Sequence, residues 1–125
     1  MSYQVKTIDH VSVLVSDTRR ALKFYQDILG LEMDNSRPQL DFPGVWLTVG
    51  SATIHLLELS DVASEPKQSV HGGLERHIAL RVSELEALVA VLERENIPFT
   101  RSRSGRRALF CRDPDGNVLE CVEAV

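Results

Sequence analysis

The chain has 125 residues, 43% of them hydrophobic and 26% charged, with a formal net charge of −4. That length supports one domain whose core needs no disulfide, the acidic balance opposes a sequence-independent grip on nucleic-acid phosphates, and no apolar run approaches the roughly 18 residues of a membrane span. The opening "MSYQVKTIDH" lacks the basic and then apolar succession of a secretory leader, so a cytoplasmic location is expected. Cys111 and Cys121, in no CxxC spacing, read as buried packing thiols.

The first element in chain order is "HVSVLV", residues 10–15. Strand alternation puts His10, Ser12 and Leu14 on one face and Val11, Val13 and Val15 on the other. Asp17 is suited to cap a helix carrying Ala21, Phe24, Tyr25, Ile28 and Leu29 at helical spacing, with Gly30 at its end. A short strand in "LEMDN" follows, then "VWLTV" and "ATIHLLEL", whose two-residue turn at Gly50-Ser51 sets Trp46 opposite His55. Proline, paired glycines and small polar residues mark 61–73 as a linker between module one (5–60) and module two (74–125).

Module two repeats the order. "HIALRV" begins with His77 as the first strand began with His10, Ser83 and Glu86 form a possible capping box, and Leu85, Leu88, Val89 and Leu92 make a helical stripe. Asn96 stands where Gly30 stood. After a short strand in "PFTRS", "RALFCR" and "NVLECVEA" are joined through "DPDGN", a three-residue turn that pairs Phe110 with Glu120 and leaves the two cysteines diagonal and poorly placed for a disulfide. The repeat predicts an α+β domain of two β-α-β-β-β modules forming a cupped mixed sheet.

Each half thus offers a histidine on its first strand and a second metal-ligating side chain on its last, His10 with His55 and His77 with Glu120. All four fall on the face opposite the helices. A single strand histidine is more often structural than functional, but burying Glu120 beside Val118 and Val122 without a partner costs several kcal/mol. A divalent cation would supply that partner. Three imidazoles and one carboxylate suit Mn, Fe, Co, Ni or Zn better than Ca or Mg, which prefer oxygen shells. Trp46 and Phe110, flanking the last-strand donors, are candidate pocket walls, and Arg103 of the basic "TRSRSGRR" is a candidate contact for an anionic substrate group. No GxSxG or P-loop offers a competing chemistry.

The segments "IDHVSVLVSDTRRALKFYQDILGLE", "GSATIHLLE", "ERHIALRVSELEALVAVLERENIPF" and "FCRDPDGNVLECVE" resemble the vicinal oxygen chelate superfamily over nearly the whole chain. The resemblance implies paired modules around a cupped sheet. His10, His55, His77 and Glu120 match the metal-ligand positions of its glyoxalase and epimerase branch, where one divalent metal holds two adjacent oxygens and a carboxylate moves a proton through an enediolate-type intermediate. It therefore implies a glyoxalase-like lyase or isomerase acting on a small molecule, with Glu120 as ligand and base. It also implies a homodimer, since relatives of this length commonly assemble the site from one module of each chain, with pairing of the modules within one chain as the alternative. His55 stands where glyoxalase I usually has glutamate, and "HLLELSD" replaces an asparagine-tryptophan-glycine segment, which separates this chain from authentic glutathione-dependent enzymes. The rival within the superfamily is the extradiol Fe(II) dioxygenase, whose two histidines and carboxylate match His10, His77 and Glu120. A fourth ligand at His55 leaves too few open positions for catecholate and O₂ together. Antibiotic-binding resistance proteins of the same fold normally lack a complete ligand set.

Overall fold

Two strands that begin with histidine organise the computed structural model, which describes residues 2–60 and 71–124. Module one runs β1 (His10–Val15), α1 (Thr18–Tyr25), β2 (Glu32–Met33), β3 (Gly44–Val49) and β4 (Ala52–Glu58). A single 3₁₀ turn at Gly72–Leu74 precedes module two: β5 (His77–Val82), α2 (Leu85–Arg94), β6 (Phe99–Arg101), β7 (Ala108–Arg112) and β8 (Val118–Glu123). Each module forms one four-stranded mixed sheet, in the orders β1-β4-β3-β2 and β5-β8-β7-β6. The first strand of each module lies parallel to its last, and the other pairings are antiparallel. Fold class and module order agree with the sequence reading. Of the expected linker, residues 61–70 lie outside the described residues.

Local chemistry explains where the helices stop. Gly30 (φ 74°) and Asn96 (φ 56°) both occupy the left-handed region after a helix, which only glycine and a few residues such as asparagine enter readily. Asp17 caps α1 as expected, its carboxylate accepting the Arg20 amide at 2.9 Å. The expected capping box of Ser83 and Glu86 does not form. The N-cap of α2 is Glu84, with no side-chain cap bond, while Glu86 turns away to Arg101. Glu123, at the end of β8, instead accepts the Leu85 amide at 3.1 Å. Module one does the same, with Glu58 at the end of β4 accepting the Thr18 amide at 2.6 Å. Each helix therefore receives a carboxylate at its positive end from the strand beneath it, which makes a local capping box unnecessary.

The helix-facing strand positions of both modules meet in one shared core. Val13, Val15, Tyr25, Leu47, Ile54 and Leu56 of module one join Leu85, Leu92, Leu109, Leu119 and Cys121 of module two in a single apolar cluster. The "DPDGN" turn clasps the two halves together. The Tyr25 hydroxyl donates to buried Asp113 at 2.7 Å, the Ser16 amide donates to Asp115 at 3.1 Å, and Asn117 donates to the Leu14 carbonyl at 3.0 Å. With the helix faces spent on each other, the edge strands leave the opposite faces open, where Ser12, Leu14, Ala79 and Arg81 are all exposed, while Val118, Glu120 and Val122 on the inner strand β8 are buried. No helix among the described residues is long and apolar enough to cross a membrane.

Candidate functional site

In module one, the β3–β4 register sets Trp46 opposite His55, as the turn chemistry predicts. The parallel β1–β4 pairing sets Ser12 beside His55 and brings His10 diagonally next to it. The result is a three-ring stack. The His55 ring lies 3.9 Å from His10, at 8° to it, and 4.1 Å from Trp46, at 5°. His10 Nδ1 is 2.7 Å from the Asp9 carboxylate, and His55 Nε2 is 3.0 Å from the Thr53 hydroxyl. Burial, then the neighbouring His10, hold the His55 imidazole below its ordinary range, while Asp9 and Asp34 pull the other way. The neutral form, the one that binds metals, is thereby favoured.

Module two presents the matching pair. Phe110 stands opposite Glu120, and Ala79 occupies the place that Ser12 holds in module one. His77 Nδ1 lies 2.7 Å from the Glu75 carbonyl, to which only an N–H can bond, and Nε2 lies 3.2 Å from Glu120 Oε1. Both ring nitrogens thus face acceptor oxygens, so a proton or a cation between Nε2 and the carboxylate completes the arrangement. Glu120 is 8% exposed and lies between buried Val118 and Val122. Its other oxygen is 3.8 Å from Arg106.

The aromatic rings fall where the strand parity puts them. The Phe110 ring stands edge-on to His77 at 5.3 Å and to His71 at 4.8 Å. His71, which falls within the expected linker, also contacts the Thr100 hydroxyl at 2.8 Å. Two arginines of the basic loop are held in ion pairs with glutamates. Arg101 forms a bidentate pair with Glu86 at 2.6 and 3.0 Å, and Arg107 pairs with Glu123. Arg103 is exposed and forms no ion pair among the described residues, whereas Arg106 reaches Glu120. A cavity of about 640 Å³ lies elsewhere, between α1 at Lys23, Phe24 and Ile28 and the β6–β7 end of module two. It touches Phe110 but is lined by none of the four candidate ligands.

The four candidate ligands thus assemble as two pairs on two sheets. Among the described residues, no three His, Cys, Asp or Glu side chains gather closely enough to hold one metal ion. The donor chemistry of the pairs nevertheless fits a transition metal, with an imidazole whose neutral form is favoured on one sheet and a buried carboxylate beside an imidazole on the other.

Comparison with known proteins follows the same lines. The chain is 29% identical over 119 residues to Glyoxylase I 4 of Arabidopsis thaliana, covering 91% of this chain and 68% of the plant protein. It is 30% identical over 130 residues to the uncharacterized protein YaeR of Escherichia coli strain K12, covering 95% and 97% of the two chains. The trypanothione-dependent glyoxalase I of Leishmania major superposes with a TM-score of 0.74 at 26% identity, over 95% of this chain and 87% of that one. A family model also matches residues 7–121, nearly the whole of both modules. The chain belongs to the Glyoxalase/Bleomycin resistance protein/Dioxygenase superfamily.

Proposed function

We propose that the protein is a divalent-metal-dependent, glyoxalase-like lyase or isomerase that acts on a small substrate with vicinal oxygens. The observation that carries this reading is the facing of His77 Nε2 and Glu120 across 3.2 Å, with the complementary His10–His55 pair at the equivalent place on the other sheet. Since each chain carries the pairs apart, the working unit is a homodimer in which His10 and His55 of one copy meet His77 and Glu120 of the other. Those four residues would hold one Mn, Fe, Co, Ni or Zn ion. When bound, it would polarise two adjacent oxygens of the substrate.

The chain's own residues then do the rest. Glu120 accepts a proton from the carbon beside the polarised carbonyl and returns it to the neighbouring carbon. His77, locked through Nδ1 by the Glu75 carbonyl, keeps the Glu120 carboxylate oriented. Trp46 and Phe110 wall the site against water, and Arg106 is the cation placed to meet an anionic substrate group. The glyoxalase relatives support the reaction class, and a fourth ligand at His55 favours proton transfer over O₂ chemistry.

The test is metal analysis of purified protein followed by a screen of hemithioacetals, acyl-CoA epimers and catechols with and without oxygen. We expect about one divalent ion per site and turnover that proceeds anaerobically and is lost in Glu120→Gln. Catechol turnover with stoichiometric O₂ uptake, supported only by Fe(II) and retained in His55→Ala, would overturn the proposal in favour of ring cleavage.

A further inference from the structure

The loop from β2 to β3 is tied to the sheet at Trp46, whose carbonyl accepts the Asp34 amide at 2.8 Å. The Asp34 carboxylate accepts the Ser36 amide at 2.9 Å, which fixes the chain just before Arg37. The Arg37 side chain reaches the start of β3. Its Nη2 donates to the Phe42 carbonyl at 2.8 Å, and its guanidinium carbon lies 5.5 Å from the centre of the Phe42 ring. At Gly44, the first residue of β3, an added Cβ would lie 3.5 Å from the same nitrogen. The guanidinium therefore rests against β3 two residues before Trp46, about 7 Å along the strand. Its charge is felt at the stacked rings: burial first, then His10 and, more weakly, Arg37 hold the His55 imidazole below its ordinary range.

Among the described residues, Arg37 and Arg112 are the two arginines that are not exposed. Arg112 is balanced by the Glu75 carboxylate. Arg37 has no ion pair among the described residues, and its Nε, shielded from water, has no acceptor. A half-shielded guanidinium without a counter-charge is costly, and an unsatisfied buried donor calls for an acceptor. The planar fork of an arginine matches a carboxylate or a phosphate. From this we infer that Arg37 binds an anionic group of the substrate, a carboxylate or a phosphate, on the module-one side of the site. This assignment rests on the reaction proposed above and names the substrate class within it: the small molecule with vicinal oxygens also carries an anionic group. Arg106 already shares its charge with Glu120 at 3.8 Å, whereas Arg37 has its whole charge to offer. Its place along β3 sets that group apart from the reacting oxygens, where binding energy positions the substrate.

The full chain provides the test, both as purified and after dialysis against a chelator, so that an anion held by a metal is told apart. Trp46 is the single tryptophan of the chain, and its fluorescence is followed as inorganic phosphate or acetate is added at constant ionic strength. The wild type should show a saturable change with at least one of the two anions in both samples, and the anion bound more tightly identifies the group. Arg37→Met should weaken that binding about tenfold or more. Arg37→Lys, which keeps the charge but loses the fork, should fall between the two. Arg19→Ala, exposed on α1, should bind like the wild type. The anion should also raise the Tm of the wild type and leave that of Arg37→Met in place. No saturable change in the wild type, or equal affinity in the wild type and Arg37→Met, would overturn the assignment. So would a loss in Arg37→Lys as complete as in Arg37→Met with a lowered Tm in both, because Arg37 would then only support its loop. A wild type that binds metal and turns over a substrate would in each of those cases leave the reaction class standing. Anion binding lost in Arg37→Met, in a protein without metal or turnover, would leave an anion site at Arg37 and sink the reaction.

Discussion

The hydroxyl of Tyr25 on α1 donates to the carboxylate of Asp113, 88 residues further along the chain, at 2.7 Å and out of contact with water. Burial, then the adjacent carboxylate, push the phenol far above its ordinary range, so its neutral, donating form is favoured. Asp113 also accepts from the amides of Asp115 and Asn117, so it holds the turn and the module boundary at once. Tyr25→Phe removes only this one of the turn's links across the boundary. It should cost about 1.5–3 kcal/mol, the range for a hydrogen bond to a charged group, measured by urea denaturation. A change within about 0.5 kcal/mol would show that this bond adds nothing to the shared core and the other links of the turn.

Separation of the ligand pairs makes a complementation experiment decisive. His10→Ala and Glu120→Ala chains should each lose metal as homodimers, since one donor is missing from every site. In a mixed dimer the intact His10 of one chain meets the intact Glu120 of the other, so one site in two is whole. Equal mixing during co-expression should restore about a quarter of the wild-type metal content, from random pairing in a two-fold dimer. Sites formed within one chain would give no recovery.

Arg106 and a bound cation compete for the same carboxylate. Arg106→Ala should tighten metal binding several-fold at low ionic strength, and the gain should shrink as salt screens the charge. Arg103→Ala, on the same loop but outside any ion pair among the described residues, should leave metal affinity unchanged. Calorimetric titration of both variants at two salt concentrations distinguishes them; equal behaviour would remove Arg106 from the site.

Glu123 joins the amide of Leu85 to the guanidinium of Arg107. Arg107 first, then the Leu85 amide, hold its carboxyl below the usual carboxylate range. Its contribution to stability is therefore present above about pH 4.5 and is lost as pH falls through the depressed value. Glu123→Gln should lower Tm at pH 7, and the two melting curves should converge as the solution is acidified. A difference that persists at the acid limit would mean that packing, and not charge, is what Glu123 provides.

At Gly44 an added Cβ would lie 2.1 Å from the Leu56 carbonyl oxygen, against backbone that cannot swing aside. Gly44→Ala should destabilise by about 1–3 kcal/mol or more. Gly72→Ala should cost less, because its nearest neighbour is the Val118 side chain. Thermal melts of both variants test the order.

Much of this molecule was legible without coordinates because strand parity and turn length are local rules. The turn at Gly50-Ser51 is enough to put Trp46 opposite His55, and "DPDGN" is enough to put Phe110 opposite Glu120. Gly30 and Asn96 mark the helix ends because so few residues enter the left-handed region. Other features depend on partners far along the chain, where local periodicity carries no information. Glu58 and Glu123 cap helices that begin 40 and 38 residues earlier, and this displaced the expected box at Ser83 and Glu86. Periodicity identifies an apolar face but not the face it will meet. Packing both helix layers into one core, closed by Tyr25 on Asp113, decided that the ligand pairs point outward on separate sheets. The residues of the candidate site were thus readable one at a time, while the separation of its two halves came from tertiary packing, because burial is won by whole faces and not by single side chains.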